Sequence, residues 1–180
     1  HPIGAEDAFE GVVDLLQKKT YIHKDEVGME IDEKDGYPDD IADRCTELRT
    51  ELVESIAEND EALMEKYLDQ GEDALSYDEL VQGLHNAVAK LEIIPVLCGS
   101  AFKNKGVQKL LDAVVDFLPN PLEVEQIKGL NDNDEEELRD CDDDKPMAAL
   151  AFKVMTDPFV GRLTFVRMYS GVIESGTYVY

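Results

Sequence analysis

Ile93-Ile94-Pro95-Val96-Leu97-Cys98 is a continuous apolar run, the pattern of a strand buried on both faces. Gly99-Ser100-Ala101-Phe102-Lys103-Asn104-Lys105-Gly106 follows it and reads as a loop. Val107, Leu110, Leu111, Val114 and Leu118 then fall on one face of a helix that Pro119-Asn120-Pro121 ends. Strand, loop and helix together make half of a βαβ unit. A parallel strand needs neighbours, and nothing earlier in the chain offers a good parallel partner. The stretch therefore reads as one edge of an α/β sheet whose remainder lies elsewhere.

Upstream, Phe9 to Leu16 and Lys19 to His23 are rich in β-branched and aromatic residues. A turn at Asp25-Glu26-Val27-Gly28 leads to Met29–Asp32, which predicts a small antiparallel meander. Gly36-Tyr37-Pro38 breaks that pattern, and Asp39 and Asp40 suit the positive end of a helix. Ile41, Cys45, Leu48, Leu52 and Ile56 recur at helical spacing and predict one buried face. Asp60 is positioned to cap a short helix carrying Leu63, Met64, Tyr67 and Leu68, stopping near Gly71. Ser76-x-x-Glu79 is a capping box, and the helix it opens buries Leu80, Leu84, Ala87, Val88 and Leu91.

Downstream, Asn131 to Asp144 is an acidic run, nine of its fourteen residues being Asp or Glu, and its self-repulsion predicts a mobile loop or linker. A calcium loop starting at Asp132 fails in register, because Glu137 stands where the tight turn requires glycine. Ala149–Thr156 and Arg162–Tyr169 read as strands around the turn Asp157-Pro158-Phe159-Val160-Gly161, the cadence of a β-barrel. The strand pattern is still running at Tyr180, so this barrel is expected to be truncated. The fold class is α+β. An antiparallel-plus-helical unit over 1–92 joins a partial α/β edge over 93–121, an acidic linker over 122–145 and the start of a barrel over 146–180.

Composition narrows the function. Seventeen basic side chains against forty-one acidic ones give the 180 residues a formal charge of −24. That argues against direct nucleic-acid contact, which rests on Lys and Arg neutralising phosphates, and against an anionic membrane surface. An apolar content of 43% is that of a folded protein. Cys45, Cys98 and Cys141 are far apart with no Cys-x-x-Cys pair, and His1, His23 and His85 are scattered, so no metal ligand is assigned. Reduced thiols predict a cytoplasmic protein. The start at His1, without Met or a basic and apolar leader, predicts an interior piece of a longer chain.

Ligands of open α/β sheets bind beyond the carboxyl ends of the strands, where Gly99-Ser100-Ala101 falls. Small side chains there let a backbone N–H approach a purine keto oxygen, which accepts a hydrogen bond where adenine's amino group would not. A strand-to-helix turn chosen for tight geometry is the plainer reading of the bare tripeptide. The longer block Cys98 to Gln108, continuing through Leu111-Asp112-Ala113-Val114-Val115-Asp116-Phe117-Leu118-Pro119, resembles the last nucleotide-binding motif of bacterial translation elongation factor G. Pro2-Ile3-Gly4-Ala5-Glu6 with Phe9 to Leu15, and Ala151 to Leu163, are similar to the same family in the same order.

The resemblance implies a ribosome-dependent GTPase that drives translocation of tRNA and mRNA. Residues up to 92 would be its insertion subdomain, 93–121 the last strand and helix of the GTPase domain, and 146–180 the start of its second domain. Gly99, Ser100 and Ala101 would hold the guanine base through backbone amides, with Lys103 and Lys105 as solvated loop lysines. The parent would use GTP or GDP with Mg²⁺. This chain has no Gly-x-x-x-x-Gly-Lys-Ser/Thr loop and no Asn-Lys-x-Asp motif. It is expected neither to hydrolyse GTP nor to bind it well, with no cofactor of its own, and Asp25-Glu26-Val27-Gly28 is read as a turn rather than a phosphate motif.

Asp43, Glu47, Glu51, Glu54 and Glu58, with Glu61 beyond, follow one another at helical spacing opposite the apolar face. A solvated face kept soluble by charge is the plain reading. The resemblance implies instead a docking strip for the C-terminal domain of the ribosomal stalk protein, with Glu54, Glu58 and Glu61 best matched to its contacts. A non-enzymatic acidic docking module is the competing function, and a related ribosomal protection or release GTPase is a third reading.

Overall fold

The computed structural model describes residues 1–124, 126–131 and 133–178. Its architecture is mixed α+β, with four helices and three small antiparallel sheets among the described residues. The chain divides into two compact units, His1–Pro119 and Asn120–Tyr180.

The first unit opens with a four-stranded sheet in sequence order: β1 (Pro2–Ile3), β2 (Gly11–Asp14), β3 (Lys19–His23) and β4 (Ile31–Asp35). Every pairing is antiparallel, with Val12 opposite Tyr21 and Ile22 opposite Asp32. The Asp14 carboxylate makes the β2–β3 turn, accepting from the N–H of Leu16 at 2.9 Å and Gln17 at 3.0 Å. The meander expected from the sequence is present, extended by the short β1.

Four helices follow: α1 (Ala42–Ala57), α2 (Glu61–Gln70), α3 (Tyr77–Ala89) and α4 (Val107–Phe117). Asp60 caps α2 by accepting from the N–H of Ala62 and Leu63, and Ser76 and Glu79 close the capping box at α3. Val53, Ile56, Leu63, Leu80, Leu84, Val88 and Phe117 form the main core between the helices, and Phe9, Val12 and Tyr21 a smaller one on the sheet. Burying a side chain the size of Ile56 or Leu80 contributes roughly 2 kcal/mol.

Four sequence expectations give way here. Leu91, expected inside α3, lies beyond the end of that helix and is 85% exposed. The buried face of α1 runs through Cys45, Arg49, Val53 and Ile56, while Leu48 and Leu52 are only half-buried. Ile93–Cys98 forms no strand; Ile94 is 81% and Val96 92% exposed. Of α4, only Ala113 and Phe117 are buried, and Leu110, Leu111, Val114 and Leu118, expected inward, are exposed. The last two have one cause. A two-sided strand and the outer face of its helix bury themselves only against further strands, and no described segment of this unit supplies them.

In the second unit β5 (Ile127–Leu130) pairs with β6 (Glu136–Arg139), and β7 (Ala148–Asp157) with β8 (Gly161–Ser170). The first hairpin lies in the segment expected to be an unstructured acidic linker. Its turn is made by the Asn131 side-chain oxygen, which accepts from the N–H of Asn133 at 2.9 Å and Glu135 at 3.1 Å. Lys128 and Glu136 pair across the strands at 3.9 Å, so opposite charges partly offset the repulsion. The β7–β8 hairpin turns where the sequence placed it: the Asp157 carboxylate accepts from the N–H of Phe159 and Val160, both at 2.8 Å. No barrel closes among the described residues. Asp132, where the rejected calcium loop would begin, and the strand pattern at Tyr180 lie outside the described residues.

Candidate functional site

The loop between Cys98 and α4 is closed on itself. Ser100 and Lys105 form an antiparallel bridge, the Ser100 N–H donating to the Lys105 carbonyl at 2.8 Å and the Lys105 N–H to the Ser100 carbonyl at 3.0 Å. The Asn104 N–H donates to the Ala101 carbonyl at 3.2 Å, completing the turn. Ser100 thus spends its amide inside the loop. The Ala101 N–H, on an exposed residue, has no acceptor among the described residues. Of the three residues expected to hold a guanine base, Gly99, Ser100 and Ala101, the first and third are exposed and have backbone donors with no acceptor among the described residues.

The loop is strapped to the meander by side chains. Lys105 Nζ donates to the Phe9 carbonyl at 3.2 Å, and Asn104 Nδ2 to the Val27 carbonyl at 3.1 Å. Lys103 Nζ lies 3.8 Å from the Asp7 carboxylate. Lys105 is half-buried with its ammonium on a backbone carbonyl, so the expectation that it is merely solvated is corrected; Lys103 pairs with the fully exposed Asp7 and remains a surface lysine. Asp25 is likewise committed to its turn. Its carboxylate accepts from Glu30 N–H at 3.0 Å and Met29 N–H at 3.2 Å, and the Glu30 bond above all holds its pKa below the ordinary range.

A guanine ring fits this donor set only in part. The Ala101 N–H matches a keto acceptor, whereas the described residues offer no phosphate cradle. No group of three or more His, Cys, Asp or Glu is placed among them to hold a metal ion.

The six acidic candidates occupy two helices. Asp43, Glu47, Glu51 and Glu54 lie on α1, Glu58 is its C-cap, and Glu61 is the first residue of α2. All six are exposed. Glu47 pairs with Arg44 at 3.0 Å, and Glu54 accepts from the Tyr67 hydroxyl at 2.8 Å, which raises the Tyr67 pKa. Glu54 and Glu58 sit at the negative end of the α1 dipole, with no basic residue in its last turn. Acids there work against the helix, so helix stability does not account for them.

A groove of about 550 Å³ opens beside Ile93–Cys98, lined by apolar side chains including Leu48, Leu52, Val96 and Phe117. It holds none of the candidate site residues. Sequence reasoning passed over His23 and Arg49. His23 is buried beneath the loop, and Arg49 is buried between sheet and helices. Alternation in Lys19–His23 put His23 on a definable face, but nothing in the spacing of Arg49 marked it as buried.

The arrangement defines a mixed α+β protein with one strapped, glycine-flanked loop and one acidic helix face. No family model matches the chain. Among solved structures it is similar to a crystal structure of a protein from Thermus thermophilus, with 28% sequence identity and a TM-score of 0.70. The match covers 95% of this chain and 22% of that protein, so the chain spans only a part of its length. The likeness shows a shared fold. No helix of the described residues is long and apolar enough to cross a membrane.

Proposed function

We propose that the chain is part of a ribosome-dependent translation GTPase of the elongation factor G type, acting in translocation of tRNA and mRNA. The observation that carries this reading is the closed Ser100–Lys105 turn, which leaves the Ala101 N–H without an internal acceptor at the point where the resemblance puts a guanine base. The exposed apolar run Ile93–Cys98 and the bare outer face of α4 support it, being the surfaces that further strands of an α/β domain would cover. GTP and Mg²⁺ chemistry belongs in this reading to the parent protein in the cytoplasm. In this reading the chain, which has no phosphate loop, leaves catalysis to the parent protein.

Its own part is docking. The exposed strip Asp43, Glu47, Glu51, Glu54, Glu58 and Glu61 is suited to a basic partner, speeding encounter through charge and weakening as salt rises. In the ribosomal setting that partner is the C-terminal domain of the stalk protein. The second reading, a non-enzymatic acidic docking module, is favoured by the placement of Glu54 and Glu58 against the helix dipole. Reversing both charges to lysine and titrating the stalk domain at low salt tests the docking. Association is expected to fall at least about tenfold, with a flatter salt dependence. Unchanged association would remove the strip from the account.

A further inference from the structure

His23 ends β3 at 6% exposure and has both ring nitrogens in hydrogen bonds. Nε2 lies 3.0 Å from the backbone nitrogen of Gly106. That N–H can only donate, so Nε2 accepts. Nδ1 lies 3.2 Å from the Gly28 carbonyl oxygen, which can only accept, so the ring proton sits on Nδ1. The same Gly28 carbonyl accepts from Gln108 Nε2 at 3.1 Å. One neutral tautomer thus joins the end of β3, the Asp25–Gly28 turn and the first residues of α4. These are the supports on which the loop rests. The other straps are the two long lysine side chains of Lys103 and Lys105 and the short amide of Asn104, reaching carbonyls or a carboxylate near the surface. The histidine bond is made at the buried Gly106, where water does not compete for the N–H.

We infer that His23 is a positioning residue for the base loop, its Nδ1–H tautomer clamping Gly106 to the Gly28 turn so that the Ala101 N–H is held outward. This deepens the reading of Gly99–Ala101 as a base-holding loop and rests on it. His23 touches no nucleotide in this role and acts only through Gly106 and Gly28. A residue that merely fills space beneath the loop would be replaced best by an apolar side chain of similar size. A residue that clamps by accepting one hydrogen bond and donating another would be replaced best by an amide.

The test is nitrogen NMR and amide hydrogen exchange on the full 180-residue chain. The ring-nitrogen shifts of His23 are expected to show a proton on Nδ1 and an acceptor at Nε2. His23→Leu is expected to speed exchange of the Ser100 and Lys105 amides about tenfold or more, as a buried donor left without its acceptor implies. Exchange at the β2–β3 pairs far from the loop is expected to change much less. His23→Gln, which has both an acceptor and a donor, is expected to keep the loop amides close to their original protection. A proton on Nε2 would overturn the inference. So would the reverse order, with leucine preserving the loop and glutamine releasing it. If His23→Leu does not fold, the tautomer of the unsubstituted chain decides alone. None of these readouts involves a nucleotide, so a failed clamp is distinguishable from a failed guanine-loop reading, which stands or falls on motifs elsewhere in the parent chain.

Discussion

Arg49 and Glu72 meet inside the first unit, Nε to Oε1 at 2.6 Å, with side-chain exposures of 7% and 22%. Beyond this ion pair, the guanidinium donates through Nη1 to the carbonyls of Leu15 and Leu16, and Glu72 accepts from the Thr50 hydroxyl at 2.9 Å. One side chain therefore satisfies the β2–β3 turn and the segment after α2 from the middle of α1. Truncating one partner of such a pair leaves the other charge buried. Arg49→Met is expected to destabilise the chain by roughly 3 kcal/mol in urea unfolding. The double variant with Glu72→Met is expected to recover part of that loss. A cost for Arg49→Met no larger than that of an exposed ion pair would show that the arginine is not a support of the fold.

Glu79 adds an acid-sensitive contribution to the stability of the fold. The Lys66 ammonium at 2.7 Å, then the N–H and hydroxyl of Ser76, pull its pKa from an ordinary 4.5 down to about 2. Between those values the unfolded chain binds a proton that the folded chain does not. The contribution is thus complete above the ordinary value and is lost as pH falls toward about 2. Stability of the unsubstituted chain is expected to drop more steeply through this window than that of Glu79→Gln, which has no carboxyl to protonate. Parallel pH profiles for the two proteins, measured by urea midpoint, would contradict the assignment.

Gly28 and Gly36 share a left-handed backbone, at φ +69° and +82°, but differ in what surrounds them. A Cβ on Gly28 would lie 2.3 Å from the Asn104 carbonyl oxygen and 2.7 Å from that of Lys103, whereas nothing lies within 4 Å of one on Gly36. Gly36→Ala is expected to cost about 1 kcal/mol, the backbone penalty alone. Gly28→Ala is expected to cost clearly more and to loosen the Ser100 and Lys105 amides, because the loop must lift off the turn. Equal costs, with the loop undisturbed, would mean that the turn does not seat the loop.

Much of this arrangement was legible because it is local. Asp60, the Ser76–Glu79 box and the Asp157 turn work through side-chain oxygens reaching amides two or three residues away, a distance a linear sequence preserves. The antiparallel meander was legible for the same reason. Arg49 was not, since its partners are 33 and 34 residues upstream and a cation at a helical face position reads as solvated until they are known. Ile93–Cys98 and the outer face of α4 carry the right pattern for burial, but a pattern states a preference and not the presence of a partner. The β5–β6 hairpin was hidden by charge: net repulsion outweighs strand signals in composition, yet one Asx turn and one cross-strand pair accompany the pairing. At the loop, sequence singled out Gly99–Ala101 as one group. Only geometry separated the spent amide of Ser100 from those of Gly99 and Ala101, which have no acceptor among the described residues.

The central claim is that the chain belongs to a larger translation GTPase whose nucleotide grip lies upstream. Sequencing the coding region that precedes His1 tests it most directly. The expected result is an open reading frame running into His1 that encodes a Gly-x-x-x-x-Gly-Lys-Ser/Thr loop and, nearer to His1, an Asn-Lys-x-Asp motif. A frame whose initiator codon immediately precedes His1, or one that lacks both motifs, would contradict it.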